Sequence, residues 1–130
     1  MLFFLPSNLI TDELCNQLIT KLENKTDMFD YTTKEKFVED IKTGYYAVWV
    51  NDNLTVVGEF IKYITGKTAL SLTVVNRGNE VHEGWREDLI QIENEARNLG
   101  VNRVILSGRA GWKKVFPEYE LSTVKLIKDI

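Results

Sequence analysis

The sequence predicts a mixed α/β domain of the α+β kind: a mostly antiparallel central sheet flanked by helices, in the order β-α-α-β-β-β-α-β-α-β. Three observations carry that expectation. Residues 45–75 hold three runs rich in β-branched and aromatic side chains, and the linkers between them are too short for a crossover, so the runs are antiparallel neighbours. From Trp85 the apolar period changes from two to about 3.6 residues, with Trp85, Leu89, Ile92, Ala96 and Leu99 on one helix face and Gly100 placed to end it in the left-handed conformation. Val104-Ile-Leu106 then makes a short apolar run fit for an interior strand, and a strand reached through a helix pairs most simply in parallel, by a right-handed crossover.

Taken in order, Met1-Leu-Phe-Phe-Leu-Pro6 reads as an edge strand. Thr11 is placed to cap a helix whose inner face is Leu14, Leu18 and Leu22, with Cys15 and Ile19 beside them. Asn24-Lys-Thr-Asp27 breaks that pattern. Thr32-Thr-Lys-Glu35 has the form of a capping box, and Phe37, Val38 and Ile41 give a short second helix that stops at Gly44. The strands are expected over 45–50, 54–64 and 69–75, turning at Asn51-Asp-Asn53 and at Gly66-Lys67, with Gly58 marking a bulge in the middle one. After the strand at 103–107, residues 110–116 form a short helix ended by Pro117, and 121–127 close the sheet. Trp49, Trp85 and Trp112 are expected in the packing, as is Cys15.

A chain of 130 residues has the size of one domain, spanning 1–130. Its formal charge of −3 argues against a general nucleic-acid binder, which needs a basic surface, although residues 101–130 carry Arg103, Arg109, Lys113, Lys114, Lys125 and Lys128. The apolar opening has no basic leader and is far shorter than a membrane span, so no membrane partner is expected. One cysteine and one histidine, Cys15 and His82, make neither a disulfide nor a metal cluster of Cys and His, and a reducing cytoplasm is the default compartment.

The element order, with Leu99-Gly-Val-Asn-Arg-Val-Ile-Leu-Ser107 followed by Gly108-Arg-Ala-Gly-Trp112, resembles the GNAT-type N-acetyltransferases. It is most similar to the small GNAT-like proteins of tailed bacteriophages, in which a Gly-Arg-x-Gly-Trp segment precedes a short helix and a final strand. The likeness extends to Lys42-Thr-Gly44 leading into the strand with Trp49, to Trp85 early in the central helix, and to the terminal Lys125-Leu-Ile-Lys128.

This resemblance implies acetyl-CoA held where two neighbouring strands splay apart, its pyrophosphate on backbone N–H groups at the start of the central helix. Such groups are unpaired in a first helical turn, and the helix dipole favours an anion there. The cofactor-binding residues it implies are Val75, Arg77, Gly78, Asn79 and Gly84, with Arg109 toward the nucleotide. The loop departs from the family's pattern: where small residues are usual it has Glu80 and His82, and Glu83 adds a further negative charge. For the proton transfers, Glu59 is a candidate base beside the cluster Glu80, His82 and Glu83. Tyr119 is a candidate acid, because Lys114 stands where the family's tyrosine would. Two functions follow from the resemblance. One is acetyl transfer from acetyl-CoA to an unknown amine. The other is a non-catalytic accessory role in a phage, as a virion component or a binder of a host protein.

Overall fold

In the computed structural model, the structure describes residues 1–23, 28–76, 84–106, 117–120 and 128–130. Eight principal elements lie within them: β1 (Phe3–Phe4), α1 (Asp12–Glu23), α2 (Lys34–Lys42), β2 (Tyr46–Val50), β3 (Leu54–Lys62), β4 (Thr68–Asn76), α3 (Trp85–Asn98) and β5 (Val104–Leu106). The expected helix at 110–116 and strand at 121–127 lie outside the described residues. Two short 3₁₀ turns, Ser7–Leu9 and Met28–Asp30, were not foreseen.

The five strands form one sheet in sequence order, β1-β2-β3-β4-β5. Neighbours are antiparallel up to β4, and β5 runs parallel to it with Leu70, Ser71 and Leu72 opposite Val104, Ile105 and Leu106. The β2–β3 turn holds because Asn51 Oδ1 accepts from the backbone N–H of Asn53 at 2.8 Å and of Leu54 at 2.9 Å. At the β3–β4 turn Gly66 takes φ +88°, a conformation glycine adopts at no steric cost.

The helices cover the sheet on both faces. Cys15, Leu18, Leu22, Phe37 and Ile41 of α1 and α2 pack against Val48, Val57 and Val75. On the opposite face Trp85, Leu89, Ile92 and Ala96 of α3 pack against Trp49, Leu54, Val56, Leu70 and Leu72. Strand alternation sends successive residues to opposite faces, which is why Val56 and Val57 serve different cores. Helix α3 ends as expected: Gly100 at φ +81° donates to Arg97 O and Val101 N–H to Ala96 O, the paired bonds of a Schellman end.

Two expectations are corrected. The cap of α2 is Thr33 rather than Thr32: its hydroxyl accepts from Lys36 N–H at 3.1 Å, which leaves Glu35 one place too early to close the box. Gly58 marks no bulge, since the register runs unbroken through Ala47, Gly58 and Leu72. Glycine is there for space instead. A Cβ would lie 2.9 Å from Trp49 Cζ3 and 3.0 Å from Leu70 Cδ1.

Candidate cofactor and acceptor site at the end of β4

Strand β4 pairs with β5 through Leu70–Val104, Ser71–Ile105 and Leu72–Leu106, and with β3 as far as Asn76. Its end carries the chain to Val75, buried in the α1/α2 core, and the following helix opens at Gly84. The first α-helical bond of α3 runs from Asp88 N–H to Gly84 O at 3.0 Å, so the positive end of its dipole lies at Gly84. Gly84 itself has φ −79°, so it needs no left-handed backbone. Arg77, Gly78, Asn79, Arg109 and the acidic cluster Glu80, His82 and Glu83 lie outside the described residues.

The charges at this corner decide whether an anionic cofactor suits it. Glu87 and Asp88 both occupy the first turn of α3. Asp88 is buried and directed away, with Oδ2 accepting from Asn51 Nδ2 at 3.1 Å and Oδ1 lying 3.5 Å from the Met1 amino group. Asp88 is therefore engaged toward β1 and β2. The start of α3 offers unpaired backbone N–H groups to an anion, with Glu87 in the same turn opposing one. The cavity beneath, lined by Leu72, Val74, Trp85 and Leu106 among others, offers about 20 Å³. That is room for one water and no cofactor.

Glu59 and Tyr119, the candidate base and acid, lie on opposite faces of the sheet. Glu59 shares the face of Val57, toward α1 and α2, opposite Tyr46 on β2 and Ser71 on β4. Ser71 pairs in turn with Ile105, which puts Glu59 one strand away from the β4–β5 pairing. Tyr45 Oη donates to Glu59 Oε1 at 2.5 Å. That bond, with burial and the Glu59 charge behind it, pushes the Tyr45 hydroxyl up to about 12. Tyr119 packs beside the α3 core and donates to Glu93 Oε2 at 3.1 Å. Its hydroxyl is also pushed up, first by burial and then by Glu93. A phenol held so firmly in its neutral form is a reluctant acid.

No protein-family model matches the sequence, and no curated protein does. Solved structures match it in shape. A GCN5-related N-acetyltransferase from Ralstonia eutropha JMP134 superposes with a TM-score of 0.68 at 11% identity, covering 100% of this chain and 97% of that one. The fold is that of the GNAT acetyltransferases. A predicted acetyltransferase from Clostridium acetobutylicum, solved with acetyl-CoA, matches with a TM-score of 0.60 at 17% identity over 100% of this chain and 96% of that one. An aminoglycoside acetyltransferase from an uncultured soil metagenomic sample, in complex with sisomicin, gives 0.63 at 12% identity over 100% and 95%. The likeness is one of GNAT fold, over nearly the whole of both chains.

Within this GNAT fold, the sequence reading missed Tyr45 and the ladder along α3. Gln91 Nε2 donates to Leu2 O at 2.7 Å and Leu2 N–H donates to Gln91 Oε1 at 2.9 Å, while Glu95 accepts from Gln91 at 3.1 Å and from the Trp49 indole at 2.8 Å. Counting back from the Asn51 turn sets Tyr46 opposite Glu59, but strand alternation sends residue 45 to the other face, so the bond from Tyr45, which leaves the turn at Gly44, was not legible. Among the described residues, no group of His, Cys, Asp and Glu could hold a metal ion, and no helix is long and apolar enough to cross a membrane.

Proposed function

We propose that this chain is a GNAT-like acyl-CoA-dependent N-acetyltransferase that moves acetyl from acetyl-CoA to an amine, as one domain spanning 1–130. Its sequence pattern resembles the small GNAT-like proteins of tailed bacteriophages, and we place it among them, acting in the host cytoplasm. The observation that carries the reading is the shape, which matches acetyltransferases over the whole chain, with α3 opening at Gly84 after the sheet's parallel pair β4–β5. Arg77, Gly78, Asn79 and Gly84 would hold the pyrophosphate, Val75 would line the strand end, and Arg109 would serve the nucleotide. The cofactor supplies an activated acyl thioester when bound. This chain's own task is to orient an amine and remove its proton. Glu59 is the base we assign to that, one strand from the β4–β5 pairing. Tyr119, tied to Glu93 on the other face, acts only if that bond opens.

The acceptor is an amine of open identity; a related fold binds an aminoglycoside. Acetyl-CoA added at about a hundred times a micromolar dissociation constant should stabilise the fold by about 2.7 kcal/mol, a rise of several degrees in the thermal midpoint. Arg77→Glu should abolish the rise. No shift at millimolar acetyl-CoA would remove the enzyme reading and leave the accessory one, a virion component or a binder of a host protein.

A further inference from the structure

Glu59 is held in an unusual way for a carboxylate on a sheet face. Among the described residues, no lysine or arginine pairs with it. Lys36, the cation that α2 presents on this side, lies 3.0 Å from Asp40 and 3.8 Å from Glu39. What binds Glu59 is a phenol, Tyr45 Oη at 2.5 Å, a length typical of a hydrogen bond onto an ionised carboxylate.

The phenol is itself fixed. Gly44 at φ +83° turns the chain off α2, so that Tyr45 lands against Tyr46 with ring centroids 5.1 Å apart at 75°. Tyr46 packs on Phe37 at 5.5 Å, and Phe37 on Phe29 at 5.7 Å. A row of rings rooted in the α1/α2 core therefore sets the position of one hydroxyl. That hydroxyl engages Oε1 of Glu59, and Oε2 receives no hydrogen bond among the described residues.

We propose that Tyr45 is the positioning residue for Glu59: by donating to Oε1 it fixes the carboxylate and leaves Oε2 to take the proton of an acceptor amine. This rests on the acetyltransferase reading. In the step, one N–H proton of the ammonium passes to Oε2, leaving a neutral amine and a carboxylic acid at Glu59. Around the pair stand Tyr46 and the non-titrating Ser71, opposite Glu59 on β2 and β4, and Asp40 of α2, whose charge acts on both tyrosines and which pairs with Lys36 at 3.0 Å. The Tyr45 hydroxyl, pushed up to about 12, stays a donor throughout the working range.

The test is the rate of CoA release from acetyl-CoA with butylamine by the full chain, wild type against Tyr45→Phe and Tyr46→Phe. Tyr45→Phe should lower kcat about tenfold and leave the KM for acetyl-CoA in place, because a mis-set base slows proton removal without touching the cofactor. Tyr46→Phe removes a hydroxyl that makes no described bond to Glu59 and should leave kcat in place. An unchanged kcat in Tyr45→Phe, or an equal fall in both variants, overturns the proposal. The carbon-13 signal of the Glu59 carboxyl at neutral pH should move in Tyr45→Phe and stay in Tyr46→Phe, and a signal that stays in both also overturns it. A wild type that releases no CoA and shows no thermal shift with acetyl-CoA defeats the acetyltransferase reading, and with it the proton transfer. The carboxyl signal then decides whether Tyr45 holds Glu59.

Discussion

The two faces of the sheet are held by different means, and each carries one tyrosine–glutamate pair. Toward α1 and α2 the core is hydrocarbon and stacked rings, with Phe37 and Ile41 fully buried and Tyr45–Glu59 at the rim. Toward α3 the apolar core is threaded by directional bonds: Asp88 to Asn51, Gln91 to the Leu2 backbone, and Glu95 to the Trp49 indole. Dispersion and burial tolerate small slides between surfaces, whereas a hydrogen bond fixes a register. The α3 face is thus the registered one. The α1/α2 face supplies bulk, with the Tyr45–Glu59 bond at its rim.

Removing bulk should therefore hurt most where bulk is the means. Phe37 is completely buried between Phe29 and Tyr46. Phe37→Ala should cost about 3–5 kcal/mol of unfolding free energy, read from urea titrations. On the α3 face the corresponding probe adds bulk. Gly58→Ala sets a Cβ 2.9 Å from Trp49 Cζ3, and that ring cannot swing away without losing its bond to Glu95. The cost should be about 1–2 kcal/mol, the strain being partly offset by the lower chain entropy of alanine. A Gly58→Ala that cost as much as Phe37→Ala would erase the contrast between a face held by volume and a face held by register.

Most of this architecture was legible from residue pattern. The period change at Trp85, the short linkers at Asn51 and Gly66, and the Gly100 stop each follow from local rules that tertiary contacts did not override. The misses have physical causes. Thr32 and Thr33 are equally able caps, so the box was placed one residue early. Gly58 was read for backbone freedom when its task is to make room for Trp49. Asp88, Gln91 and Glu95 were given no role, because nothing local shows that α3 lies against the Leu2 backbone and the Trp49 indole. At the candidate site Val75, Gly84 and Glu59 could be placed from the pattern of strands and turns. The bond from Tyr45 needed the register of the hairpin and the turn at Gly44 together.

The smallest expected effect separates the two tyrosine–glutamate pairs themselves. The first cause of the rise at Tyr45 is its hydrogen bond to Glu59, whereas at Tyr119 it is burial, with Glu93 second. Glu59→Gln should therefore bring Tyr45 well down from about 12 toward its ordinary 10.0. Glu93→Gln should leave Tyr119 raised, because burial continues to disfavour the phenolate. Both are read from the ring-carbon shifts of the two tyrosines against pH. The sign of the stability effect follows: the native state favours the protonated phenol, so the Tyr45 contribution is whole below pH 10 and is lost as pH rises through about 12. Across that window the wild type should lose stability more steeply than Tyr45→Phe, by a modest amount because the ring is half exposed and screened by water. Equal slopes would mean that Glu59 does not hold Tyr45 in solution, and the rim of the α1/α2 face would then be as unregistered as its core.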